Sequence, residues 1–485
     1  MDLISSTMEP FEIGKTDTSP LLWVLIVGFV VAFFLAFGVG ANDVANSFGT
    51  SVGAKVLTLR QACILATIFE TLGAVLIGYK VSDTVRKGIF DVNIYQGEEK
   101  SLMLGCLSAL LASAVWNILA TFLALPISGT HSIVGAMAGF TIVAKGFSSI
   151  KWMGLLKIVL SWFVSPVLSG LLSAAVFLVI LKFIIQAQNP IRNALLFLPF
   201  FYLCTLFVNF VSIFMDGPEV LKFDLIPFWA AALISASLAI TCAFLVWCLF
   251  VPRFKTAMDI KNTNKRVFHI VNGNNNSTPE AKECHVNVGF ENTEVSNSTS
   301  KTSSVHDVNM NSVDNQREIN ELFSALQVLT AIFGSFAHGG NDVSNAIGPL
   351  VSLWLIYSEG TVAQKSETPL YILLFGGLGM CVGLWVYGKK VIQTVGENLT
   401  KISASNGFSI EVGAATTVLT ASKIGLPIST THCKVGSIVF VGFVHKDAGG
   451  VNWNLFRGIV AAWVFTLPIT GGISAAIMSI IQAVV

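Results

Sequence analysis

The chain has 485 residues, of which 53% are hydrophobic and only 12% charged, with a mean hydropathy of +0.72. A soluble domain carries about a quarter charged residues, so a soluble globular protein is excluded. The net charge of +1 offers no basic field to a nucleic-acid partner.

Apolar runs long enough to cross a bilayer as helices recur, with Leu21–Phe37, Leu155–Ile185 and Ala230–Val251 among them. Lipid admits only helices or closed barrels, and the runs lack the alternation of a barrel strand. The fold class is therefore an all-α polytopic membrane protein. About twelve segments are predicted, near 21–39, 59–79, 102–124, 129–146, 154–185, 194–215, 226–251, 322–338, 370–388, 409–424, 431–444 and 456–485. The short ones at 129–146 and 431–444 read as re-entrant candidates.

Residues 1–20 are polar and lack the basic start of a signal peptide. They read as an extracellular N-terminal segment before a first membrane region, 21–251. At the end of the first apolar run stands "GANDVANSFG", Gly40–Gly49. Glu70 follows as a lone carboxylate in "CILATIFETLGAVLIG". Next comes "LPISGTHSIVGAMAGF" from Leu125, then "WFVSPVLSGLLSAA" from Trp162. Residues 252–321 are rich in Asn, Ser and charge, and read as a disordered linker. Arg253, Lys255, Lys261, Lys265 and Arg266 at its start place it in the cytoplasm. A second membrane region, 322–485, repeats the blocks: "GGNDVSNAIG" from Gly339, "LPISTTHCKVGSIVFVGF" from Leu426 and "WVFTLPITGGISAA" from Trp463. The offsets are 299, 301 and 301 residues. Seven crossings before the linker would invert the second repeat relative to the first and put the N-terminus outside. The eight cysteines are scattered without a CxxC, and read as small core residues.

An ionised carboxylate inside a membrane is costly unless paired or hydrated. Asp43 with Asn42 and Asn46, and Asp342 with Asn341 and Asn345, offer carboxylate and amide oxygens. Hard oxygen ligands suit sodium or another alkali or alkaline-earth cation, and hold no soft donor for zinc or copper. Asp43, Asn46, Asp342 and Asn345 are the predicted sodium ligands, and Gly38, Gly40 and Gly49 would let the first helix unwind there. The alternative is that each Asp only caps a helix.

The second block reads as a helix stop at Pro126 and Pro427, then an N-cap. Helix N-termini bind anions through free N–H groups and partial positive charge. Two such termini meeting at the midplane would cradle a tetrahedral oxyanion. Ser128, Thr130, Ser429, Thr430 and Thr431 are the predicted ligands of that oxyanion. Asn42 and Asn341 stand between, reaching the anion while their oxygens remain open to sodium. Two ordinary capped helices are the alternative.

Glu70 and Glu411 have no acid at the matching repeat position, Glu411 falling opposite Leu110. They are predicted to couple or gate, or else to hold helices together. His131, His338 and His432 read as anion donors or caps, with His338 grouped with the coupling residues. Lys423 and Lys434 add positive potential or snorkel.

"FGSFAHGGNDVSNAIGPLV" and "SKIGLPISTTHCKVGS", with their first-half partners, resemble the inorganic phosphate transporter family, and within it the eukaryotic sodium-dependent symporters of solute carrier family twenty. The resemblance covers 21–251 and 322–485. It implies inorganic phosphate as substrate, sodium as coupling ion and cargo, no other cofactor, and inverted repeats forming the site. It implies a plasma-membrane protein with both termini outside, Asp43 and Asp342 essential to transport, and Glu70 and Glu411 governing phosphate handling. It further suggests a homodimer, and a viral envelope protein as a partner of some relatives. The central loop is shorter than in vertebrate relatives, so regulation placed there does not carry over.

A symporter of sulfate or arsenate, or one driven by protons, is the competing transporter. A receptor role could accompany transport. No Walker sequence and no nucleophile–base pair supports an enzyme.

Overall fold

The computed structural model describes residues 16–216, 223–257, 259, 260, 263, 302–396, 398–445 and 450–484. Apart from one bridge between Phe90 and Ile150, its regular elements are helical. They are α1 (Leu22–Gly53), α2 (Leu59–Ile77), α3 (Tyr79–Lys87), α4 (Glu99–Phe122), α5 (Gly129–Lys145), α6 (Trp152–Ile180) and α7 (Pro190–Asp216). After them come α8 (Phe228–Leu245), α9 (Thr302–His338), α10 (Ser344–Glu359), α11 (Leu370–Gly396), α12 (Ala404–Lys423), α13 (Thr430–Val444) and α14 (Trp453–Val484). Both α6 and α8 run on into π turns, Leu181–Ile185 and Val246–Phe250.

Among the described residues, nine helical stretches are long and apolar enough to cross a membrane. The predicted count was about twelve. Three helices account for it: α5, α13 and α12. The segment near 322–338 remains a single span but is longer than predicted: α9, a π turn at Gly339–Val343 and α10 form one rod with its apolar stretch in Asn315–Glu359. The helices α5 and α13 have 17 and 15 residues, short of the roughly 20 a hydrocarbon core requires. Finally, α12 carries Asn406, Glu411 and several hydroxyls among its apolar residues.

Residues 1–15 and 264–301 of the predicted terminal and linker segments lie outside the described residues. The helix α9 already starts at Thr302, before the predicted boundary at 322. Of the cysteines, Cys63, Cys106, Cys381 and Cys433 are buried as expected, whereas Cys204 and Cys248 are exposed on spanning segments; Cys284 lies outside the described residues.

The halves are clasped through reciprocal contacts. Helix α5 packs on α14, and α13 packs on α6. At the first crossing Gly135 faces the Leu467 carbonyl; at the second Gly436 faces the Pro166 carbonyl. These pairs are equivalents at an offset of 301 residues. Likewise α1 crosses α11, with Gly40 against the Met380 carbonyl and Gly383 against that of Phe37. At the equivalent crossing, of α2 with the end of α9, Gly339 lies against the Glu70 carbonyl and Gly73 against that of Phe336. Any Cβ at these glycines would strike backbone. Between membrane helices, where lipid is as apolar as leucine, such close approach is what drives association.

This second set reveals a repeat block that sequence comparison missed. Glu70 and Gly73 correspond to Met380 and Gly383, at an offset of 310 residues. The counterpart of Glu70 is thus a methionine.

Candidate functional site

Along α1, Asn42, Asp43, Asn46, Ser47 and Thr50 are all buried. The glycines do not unwind this helix, which stays α-helical from Leu22 to Gly53. The predicted break is absent from the first copy. In the second copy the chain widens into the π turn Gly339–Val343, which holds Asn341 and Asp342. π turns leave backbone groups without their usual partners and mark functional sites.

The other side of the site comes from the two Leu-Pro-Ile-Ser segments. Helix α4 ends through Ala124 at φ 54°, and α12 ends through Gly425 at φ 66°. These equivalent residues take the left-handed conformation that closes a helix. Pro126 and Pro427 follow and prevent helix from resuming at once. The next helices start at N-caps Ser128 and Ser429, whose hydroxyls accept from the backbone N–H of His131 and His432 at 3.2 and 3.1 Å.

The two starts interlock. Thr130 Oγ1 donates to the Ile428 carbonyl at 2.8 Å, and Thr431 Oγ1 reaches the Ile127 carbonyl at 3.0 Å. Each threonine is held by an asparagine. Asn345 Nδ2 donates to Thr130 Oγ1 at 2.7 Å, and Asn46 Nδ2 donates to Thr431 Oγ1 at 2.8 Å. Asn42 and Asn341 pin the segments: Nδ2 of Asn42 donates to the Leu125 carbonyl and Nδ2 of Asn341 to the Ile428 carbonyl, both at 2.9 Å. Asn42 Oδ1 also accepts from Ile127 N at 3.0 Å.

The aspartates join this network unequally. Thr430 Oγ1 donates to Asp342 Oδ2 at 2.7 Å. The equivalent of Thr430 is Gly129, which has no hydroxyl to give. Asp43 instead accepts from Thr431 on Oδ1 at 2.9 Å. Among the described residues, Asp43 Oδ2, Asn341 Oδ1, Asn345 Oδ1 and Glu70 Oε2 are buried without a hydrogen-bond partner. Buried acceptors of this kind are expensive to leave unmatched, and a hard cation would satisfy them. Asp43, His338 and Asp342 can each turn a ligand atom to within 4.8 Å of the others.

Glu70 enters through His338, whose Nδ1 lies 3.1 Å from Glu70 Oε1 and whose Nε2 lies 3.2 Å from Asp342 Oδ2. Ser47 adds a 2.8 Å bond to the same Glu70 oxygen. Glu411 is arranged differently: its Oε2 pairs with Lys434 Nζ at 2.5 Å, and Oε1 accepts from Thr50. Lys434 is therefore neither snorkelling nor near lipid; it is buried. Nor do His131 and His432 face the aspartates. Their Nδ1 atoms bond the carbonyls of Trp463 and Trp162.

The structure thus joins Asn42, Asp43, Asn46, Glu70, Thr130, His338, Asn341, Asp342, Asn345, Thr430 and Thr431 in one buried assembly. Ser128 and Ser429 cap the adjoining helices. Glu411 stands apart with Lys434. Sequence reasoning passed over Ser47 and Thr50, although they lie four and seven residues beyond Asp43 and so on its helix face.

A family model described as the phosphate transporter family matches residues 39–474. The chain belongs to the phosphate transporter family. It is 40% identical to sodium-dependent phosphate transporter 1-A of Danio rerio, over 97% of each chain. It is 37% identical to sodium-dependent phosphate transporter 1 of Rattus norvegicus, over 99% of this chain and 98% of the relative. A solved structure titled the sodium-dependent phosphate transporter is similar at a TM-score of 0.77 and 34% identity, covering 96% of this chain and 100% of its own.

Proposed function

We propose that the chain carries inorganic phosphate across the membrane together with sodium ions, by alternating access between two inverted halves. One observation carries the reading. Two helix starts rich in hydroxyls interlock with two Asn-Asp clusters in a single buried site built from both halves. The helix starts supply N–H dipoles and hydroxyl donors for an oxyanion; the caps Ser128 and Ser429 hold it, joined by Thr130, Thr430 and Thr431 as their hydroxyls turn to it from Ile428, Asp342 and Asp43. A hydroxyl that accepts a capping bond still has its own proton to donate. Asp43, Asn46, Asp342 and Asn345 hold sodium, with Asn42 and Asn341 tying the two ligands. Aspartates alone repel an anion; with sodium bound they do not, so each ligand improves the site for the other. That reciprocity is the thermodynamic content of symport. Glu70, through His338, and Glu411, through Lys434, set how readily the halves move.

The family resemblance supports the same chemistry, since the relatives are named sodium-dependent phosphate transporters. It extends the proposal to a plasma-membrane homodimer with both termini outside, and to a surface that a viral envelope protein recognises. Arg253 and Lys255, exposed beyond α8, favour a cytoplasmic position for that end.

The test is radiolabelled phosphate uptake into proteoliposomes, under an inward sodium gradient or an equal choline gradient, with excess sulfate as competitor. Uptake that requires sodium and ignores sulfate supports the proposal. Uptake driven by a proton gradient without sodium would overturn the cation assignment.

A further inference from the structure

The two glutamates that lack an acid at their equivalent positions are both held from one helix. Ser47 Oγ donates to Glu70 Oε1 at 2.8 Å. Three residues on, Thr50 Oγ1 donates to Glu411 Oε1, whose other carboxylate oxygen pairs with Lys434 Nζ at 2.5 Å. All five side chains are buried. Thr50 lies two turns beyond Asp43 and so on the same face of α1.

At the equivalent place in the other half the backbone carries hydrocarbon. Ser47 and Thr50 correspond to Ala346 and Pro349 at an offset of 299 residues, Glu411 and Lys434 to Leu110 and Ile133 at 301, and Glu70 to Met380 at 310. Leu110, Ile133, Ala346 and Met380 are buried in one apolar cluster, and Pro349 is buried on α10. The fold thus contains an ion-free version of the same packing. A buried ion pair is often no better for stability than hydrocarbon of its own volume. Packing therefore gives no reason for Thr50, Glu411 and Lys434, and ionisable groups kept at membrane depth point to function.

The geometry says where that function acts. Lys434 follows Thr431 by three residues and Thr430 by four, so the three share one face of α13. Thr431 donates to Asp43 and Thr430 to Asp342. Those bonds are given up when the hydroxyls turn to an oxyanion. The contact from Thr50 through Glu411 to Lys434 uses other groups and persists. Helix α1 packs on both α12 and α13, and so holds the start of α13 at two levels, one remade by the ligand and one constant. Glu411 has a fixed seat: a Cβ on Gly334 of α9 would lie 3.1 Å from its Oε2. We propose that Thr50 is a positioning residue for phosphate. It seats Glu411, Glu411 seats Lys434, and the start of α13 is thereby kept at the distance from Asp43 at which its N–H groups and hydroxyls meet the anion. The role deepens the proposed symport and rests on it.

The experiment compares the unaltered chain with Thr50→Val, which keeps the shape and loses the hydroxyl, and with Thr50→Ser, which keeps the hydroxyl. Initial rates of sodium-driven uptake into proteoliposomes are measured against inorganic phosphate concentration. Melting temperatures are measured in sodium chloride and in choline chloride. Thr50→Val should raise the half-saturating phosphate concentration about tenfold, the equivalent of one hydrogen bond, at an unchanged maximal rate. Thr50→Ser should match the unaltered chain. Sodium should raise the melting temperature of all three alike, because Asp43 and Asp342 are untouched. Unchanged half-saturation in Thr50→Val overturns the proposal, and so does a Thr50→Ser that behaves like Thr50→Val. A fall confined to the maximal rate would assign Thr50 to the movement of the halves instead. A sodium effect lost in Thr50→Val would assign it to the cation. Should neither Thr50→Val nor Thr50→Ala fold, Thr50 is a structural residue and the proposal falls. An unaltered chain without sodium-driven phosphate uptake would defeat the proposed function itself, a result distinct from all of these.

Discussion

Lys434 Nζ lies 2.5 Å from Glu411 Oε2, and both side chains are closed off from solvent. The pair joins α13 to α12 one turn beyond Thr431. Glu411→Gln removes the compensating charge and leaves a buried ammonium. The expected loss is about 3–5 kcal/mol, while replacing both partners by apolar groups is often neutral. Fluorescence-detected thermal melting of detergent-purified protein should show Glu411→Gln strongly destabilised and Glu411→Gln with Lys434→Met restored. A double variant as unstable as the single one would refute the pairing argument.

Asp43→Asn keeps the size of the side chain and an oxygen that accepts from the Thr431 hydroxyl. It removes the negative charge and the unmatched oxygen. The variant is expected to insert and fold, and to lose sodium-driven phosphate uptake in proteoliposomes. Normal uptake would show that Asp43 does not hold the coupling ion.

Sodium should also stabilise the folded chain without phosphate. A ligand at a hundred times its dissociation constant adds about 2.7 kcal/mol. Melting temperature measured against sodium chloride, with choline chloride as control, should rise for the unaltered chain and stay flat for Asp43→Asn. A rise of the same size in both would move the cation elsewhere.

Gly129 is where the two halves differ most simply. A Cβ there would lie 3.5 Å from Asp43 Oδ2 and from a Val39 methyl, an ordinary contact. Gly129→Ser brings a hydroxyl to the oxygen that Thr430 serves on Asp342. Folding should be unchanged. The sodium concentration for half-maximal uptake should rise about tenfold, the equivalent of one hydrogen bond. Unchanged sodium dependence would mean that this oxygen does not face the ion.

Gly436 against the Pro166 carbonyl leaves no space for a side chain. Gly436→Val should cost at least about 1–3 kcal/mol through overpacking, and Gly135→Val should do the same at the equivalent crossing. Chromatography of fluorescent fusions would show aggregated material for both. A monodisperse Gly436→Val would contradict the close approach.

Much of this was legible in the chain before any coordinates. Asp43 and Asp342 announce themselves because carboxylates in apolar helices demand a reason, and the repetition of their neighbours supplies one. Ser128 and Ser429 were readable as caps because Pro126 and Pro427 precede them. Other features depend on how helices cross, which a single sequence does not display. Nothing in "GGNDV" distinguishes a π turn from the ordinary helix of "GANDV". Glu70 and Met380 correspond at an offset unlike that of the other blocks, so the alignment of motifs concealed them. Lys434 reads as a flanking cation until α12 is placed beside it. The rings of His131 and His432 turn from the aspartates because the tryptophans that hold them come from distant parts of the chain.

The reciprocal clasp has a consequence for how the protein is made. When α5 and α6 leave the ribosome, the surfaces that will cover them, on α14 and α13, have not yet been translated. The first half must wait in the bilayer with its glycine-lined faces uncovered, open to lipid or to a chaperone. Assembly is then a late event, completed when α14 arrives, and mutations along α14 should act first on biogenesis.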